Sequence, residues 1–94
     1  MTVLLTFEIF RASDTEEAAS LLRREFESAL RKLNWEDTPI HTTFTKTWIS
    51  PKDHKVTEEL SRALSTARKS SKVKAAKVKY LFLSGLGPAT AGGF

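Results

Sequence analysis

The chain contains no cysteine, which excludes disulfides, thiolate metal sites and thiol nucleophiles together and is compatible with a reducing compartment. Glycine is scarce, with 4 residues, and proline scarcer, with 3. Gly85-Leu86-Gly87 follows an apolar run but leads into Pro88, not into a helix N-terminus, so a phosphate-cradling loop and nucleotide binding are excluded. Histidine occurs twice, at His41 and His54, without the spacing of a zinc site and without a Ser–His–Asp constellation. Long hydrophobic runs are missing too. The best stretch, Val3 to Phe10, is broken by Thr6 and Glu8, so neither a membrane span nor a signal-peptide core is expected. These absences together predict a soluble, cytoplasmic protein.

What is present describes one small domain. With 94 residues, 40% hydrophobic and 28% charged, the chain is too short to divide and too apolar to be disordered. At this size only about two-thirds of the unfolded surface is buried, so the core is thin and self-association would help it. Net charge is +4, unevenly placed: residues 1–47 hold six Lys/Arg against eight Asp/Glu, and residues 48–94 hold nine against three. The second half is basic.

Val3-Leu4-Leu5-Thr6-Phe7-Glu8-Ile9-Phe10 is apolar on both alternating faces, as a central strand would be. Ser13 three residues before Glu16 forms a capping-box spacing, and Ala19, Leu22, Phe26, Ala29, Leu30 and Leu33 continue as one helical stripe ending near Asn34. Threonines, Phe44 and Trp48 make residues 41–49 a strand, with a short edge around 35–38 limited by Pro39. Ser50-Pro51-Lys52-Asp53 reads as a second helix start, followed by the stripe Val56, Leu60, Ala63, Leu64 and Ala67, with fraying expected near Ser70-Ser71. Residues 77–84 alternate again, Val78, Tyr80 and Phe82 against Lys77, Lys79, Leu81 and Leu83.

The pattern predicts an α+β, ferredoxin-like βαββαβ sandwich over residues 1–85, with an antiparallel sheet, two helices on one face and a flexible Gly-rich tail over 86–94. If Val3, Leu5, Phe7 and Ile9 meet the helices, Leu4, Phe10, Leu81 and Leu83 share the bare face, which predicts a homodimer packed through its sheets.

Three pieces carry a family likeness: Val3-Leu4-Leu5-Thr6-Phe7-Glu8, then Thr43-Phe44-Thr45-Lys46-Thr47-Trp48-Ile49-Ser50, then Tyr80-Leu81-Phe82-Leu83-Ser84-Gly85 running to a Gly-Phe terminus. In these the chain resembles the small GhoS-like endoribonuclease antitoxins and CRISPR-associated spacer-acquisition nucleases, a SinR-type group, over nearly its whole length. The resemblance implies a ferredoxin-like homodimer concerned with RNA or DNA processing or toxin–antitoxin control. In the CRISPR-associated members an aspartate closing the first strand holds a divalent metal across the dimer. Glu8 stands at that position here, and its extra methylene displaces the oxygens from what an octahedral Mg²⁺ site tolerates.

Arg62, Arg68, Lys69, Lys72, Lys74, Lys77 and Lys79 form a run with no acid, readable as a solvated surface or as a phosphate-contacting strip for RNA or DNA. Glu8 and Asp14 are the candidate Mg²⁺ ligands, against ordinary roles as a cross-strand partner of Lys79 and as a helix cap. Glu8 and His41 are the candidate catalytic residues, His41 as a general acid or base toward RNA. Trp35 and Trp48 read as core or interface anchors. The alternative expectation is a non-catalytic interaction module, of the antitoxin or phage-inhibitor kind, binding a protein through its sheet face.

Overall fold

The computed structural model describes residues 2–10, 16–40, 42–48, 52–73, 77–84 and 90–94. Strand β1 (Thr2–Phe10) leads to helix α1 (Glu16–Lys32), β2 (Glu36–Asp37), β3 (Thr43–Thr47), helix α2 (Asp53–Ser71), β4 (Lys77–Ser84) and β5 (Thr90–Gly93). All pairings are antiparallel in one five-stranded sheet ordered β2-β3-β1-β4-β5. The class is α+β, with five strands in place of the expected four.

Period-two alternation decides which face each strand residue takes. Val3, Leu5 and Phe7 of β1, Phe44 of β3, and Val78 and Phe82 of β4 are buried against the helices. Both helices present the stripes read from their spacing: Leu22, Phe26, Ala29 and Leu30 from α1, and Val56, Leu60, Ala63, Leu64 and Ala67 from α2. Phe7 meets Phe26 edge-on at 4.8 Å between centroids and lies near-parallel to Phe44 at 5.9 Å, so one β1 residue ties a helix and a neighbouring strand to the centre. On the other face Leu4, Leu81 and Leu83 stay 37–40% exposed.

Helix α1 stops where Asn34 adopts a left-handed backbone, φ 72°. The Trp35 N–H then reaches Leu30 O at 3.0 Å and the Asn34 N–H reaches Arg31 O at 3.0 Å, the paired bonds of a Schellman ending. That reversal sends Trp35 back into the core at 2% exposure. Helix α2 opens behind Lys52, which has an extended backbone and makes no side-chain cap, so the helix begins later than a Ser50 cap would set it. Ser13 and Ser50, the two expected hydroxyl caps, lie outside the described residues. The C-terminus of α2 closes at Lys72, φ 61°, whose N–H bonds Arg68 O.

The expectation of a flexible tail over 86–94 does not hold for its last five residues. Thr90–Gly93 pairs with β4, and Phe94 exchanges two backbone hydrogen bonds with Val78, at 3.0 and 2.8 Å. Glycine is needed because the Tyr80 ring lies across Gly92: an added Cβ there would meet the Tyr80 hydroxyl and stand 2.6 Å from Cζ. The ring in turn stacks on Phe94 at 5.2 Å and Phe82 at 6.0 Å, so a strand with little intrinsic preference is held by aromatic packing. Gly92→Ala is expected to cost about 1–3 kcal/mol by forcing Tyr80 out of this stack. Urea unfolding measures it, and an unchanged midpoint would show that β5 is not held this way.

The short β2 is fixed by ions and hydroxyls. Arg31 donates from Nε and Nη2 to the two Asp37 oxygens, each at 2.9 Å, while Thr38 Oγ1 donates to Thr43 O at 2.9 Å and accepts from the Ile40 N–H. The Arg31 hydrogen bonds hold the Asp37 carboxylate below its ordinary range, and Asp37 raises the guanidinium correspondingly. A depressed carboxylate contributes stability above its unfolded value, and that contribution is lost as pH falls through the folded value, below about pH 4. Asp37→Asn is therefore expected to lower the neutral plateau slightly and to flatten the acid limb by the same small amount, small because both side chains are about half exposed. Denaturation midpoints between pH 2 and 7 check this.

Candidate functional site

The cations of the second half divide according to the elements that carry them. On α2, Arg62 and Lys69 are exposed and Arg68 is half-buried at the flank of the helix, and Lys72 is exposed at its C-cap. The helical period puts Arg62 and Lys69 on the solvent side, opposite Leu60, Ala63, Leu64 and Ala67. Exposed Lys55 precedes them at the same seven-residue interval, so Lys55, Arg62 and Lys69 make a line roughly 21 Å long at 1.5 Å per residue, with Glu58 beside it. Exposed Lys32 of α1 joins this layer across a narrow groove of about 140 Å³, floored by Ala29, Leu33 and Ala63 and flanked by Arg62.

Lys77 and Lys79 do not extend that line. Strand alternation turns them away from Val78 and Phe82, onto the bare sheet face with Leu81 and Leu83. Lys79 stands opposite Glu8 in the register and carries its ammonium over the Phe10 ring, 5.1 Å from the centroid. The run that is continuous in sequence is thus two groups on opposite layers, because a helix and a strand distribute consecutive residues differently. Lys74 lies outside the described residues.

Ion pairs engage the cations of α1 and β3 that lie beside acids. Arg31 binds Asp37 and Glu27, Arg23 lies 4.0 Å from Glu27, and Lys46 binds Glu59 at 2.5 Å. Among the described residues no carboxylate lies within ion-pair distance of Lys32, Lys55, Arg62, Lys69 or Lys72. Five exposed cations without an ion-pair partner among the described residues thus lie on the helix layer, with exposed Glu58 among them. Lys32 and Lys55 were not part of the basic run read from the sequence. Seven-residue spacing could have found Lys55, whereas Lys32 is brought in only by helix–helix packing.

The remaining candidates stand apart. Glu8 is exposed on the bare face beside Lys79, while Asp14 and His41 lie outside the described residues and His54 is exposed on α2. Among the described residues no three His, Asp or Glu side chains gather as metal ligands. Trp35 is a core anchor that donates from Nε1 to Glu59 at 2.9 Å, and Trp48 packs 6.5 Å from it. No helix among the described residues is long and apolar enough to cross a membrane. Comparisons with family models, curated proteins and solved structures found no match to this chain.

Proposed function

We propose that this protein binds nucleic acid, RNA or DNA, through the helix layer, contacting phosphates without reading sequence. The observation that carries the proposal is the set of exposed cations Lys32, Lys55, Arg62, Lys69 and Lys72 that have no acidic partner among the described residues. Such cations release counterions when they meet a polyanion, which supplies affinity but no base discrimination. The succession β1-α1-β2-β3-α2-β4 supports reading the architecture as ferredoxin-like with β5 added. The proposal is of binding alone.

Fluorescence anisotropy with a labelled single-stranded RNA and a labelled duplex DNA, at low and physiological salt, tests the reading. Binding to both probes that weakens sharply at the higher salt supports it. No binding at low salt overturns it.

A second reading has its own observation. Leu4 and Leu83 are direct cross-strand neighbours on the bare face, with Leu81 beyond them, all partly exposed. We infer that this patch packs against a second copy of the chain, leaving both helix layers outward. Leu83→Arg is then expected to convert a dimer to a monomer in light scattering; a wild-type monomer at micromolar concentration would overturn the inference.

A further inference from the structure

β1 is a central strand that is paired on only one side for its last third. Its ladder with β3 ends at Thr6 opposite Thr43, and the final contact is the Phe7 N–H to Thr42 O bond at 3.3 Å. Thr42 then takes a left-handed backbone, φ 59°, which turns the chain out of the sheet line. On the other side β4 continues to pair as far as Phe10 opposite Lys77. Backbone polar groups alternate sides along a strand, so Ile9, two residues beyond Phe7, aims its N–H and C=O toward the line that β3 has left. Among the described residues neither group has a backbone partner.

A cleft of about 590 Å³ opens at this place, with Glu8, Ile9, Thr42, Arg23 and Lys79 in its lining. Its shape and chemistry combine three elements: a strand edge whose Ile9 donor and acceptor have no backbone partner among the described residues, apolar surface from Ile9, and two cations on opposite flanks, Arg23, 4.0 Å from Glu27, and Lys79, opposite Glu8 in the register. A small anion would satisfy the charges and leave the strand edge unused. An extended main chain satisfies both, since it offers alternating C=O and N–H groups at strand spacing and side chains that reach to either flank.

We propose that this cleft is a peptide-binding site, in which an extended segment of another protein carrying acidic side chains adds to β1 in the line vacated by β3. Ile9 exchanges hydrogen bonds with one residue of the segment, and Arg23 and Lys79 meet its carboxylates. The site lies on β1, α1 and β4 and holds none of the α2 cations, so peptide and nucleic acid need not compete.

Backbone-resolved NMR on the ¹⁵N-labelled chain tests this in two arms. In the free protein the Ile9 amide is expected to exchange with solvent about tenfold or more faster than the Glu8 and Phe10 amides, which face β4. An acetylated, amidated peptide alternating valine and glutamate is expected to shift the Phe7, Ile9 and Thr42 resonances and to slow Ile9 exchange. The same peptide N-methylated at alternate residues, which removes its donors, is expected not to bind, and Arg23→Ala is expected to weaken the unmodified peptide severalfold. A protected Ile9 amide in the free chain, equal binding of the N-methylated peptide, no binding of the unmodified one, or its displacement by single-stranded RNA each overturns the proposal.

Discussion

Glu59→Ala is expected to destabilise the fold by about 3 kcal/mol, which at this chain length lowers Tm by about 15 °C. Oε1 of Glu59 accepts from both Trp35 Nε1 and Lys46 Nζ, and the Lys46 and Glu59 side chains retain only 17% and 13% of their exposure. Removing the carboxylate strands a mostly buried ammonium and an indole N–H of the core in the same step. Lys46 still has the Trp48 face, 4.6 Å from its nitrogen, but a cation–π contact does not replace an ion pair of this geometry. Glu59→Gln keeps an acceptor for Trp35 and loses only the charge, so it should cost about half as much. Thermal unfolding of the two variants checks the order. Equal Tm values for Glu59→Ala and the wild type would mean that the cluster contributes nothing beyond surface pairing.

The combined variant Arg62→Glu, Lys69→Glu and Lys72→Glu is expected to weaken nucleic-acid binding on the order of 100-fold at low salt, because three phosphate contacts are removed and three repulsions added. These side chains are exposed, so stability should change little, which circular dichroism verifies. Lys77→Glu with Lys79→Glu is the matched control. Both residues lie on the opposite layer, and their reversal should leave binding within about threefold. Equal losses from the two variants would contradict the assignment of the surface to the helix layer.

The helices and the alternating strands were legible because burial imposes periods of 3.6 and 2 on apolar residues. Val56, Leu60, Ala63, Leu64 and Ala67 are all buried, and Leu4, Leu81 and Leu83 all face outward, as their positions in those periods require. Strand β5 was not legible. Thr90-Ala91-Gly92-Gly93 has the composition of a loose tail, and what makes it a strand is the Tyr80 ring filling the space over Gly92. The Lys46–Glu59–Trp35 cluster was hidden for a related reason: its members sit on three elements and join only when the layers pack. The basic run shows the opposite error. Continuity in sequence suggested one surface, but the change from helix to strand between Lys72 and Lys77 sends its two ends to opposite faces.

The most direct test of the central claim is the slope of log affinity against log salt concentration for the wild-type chain on single-stranded RNA. Engagement of the five helix-layer cations predicts a slope of about −3.5, falling to about −1.5 or shallower in the triple charge-reversal variant, which keeps only Lys32 and Lys55. A wild-type slope near zero, or one that the triple variant leaves intact, would contradict it.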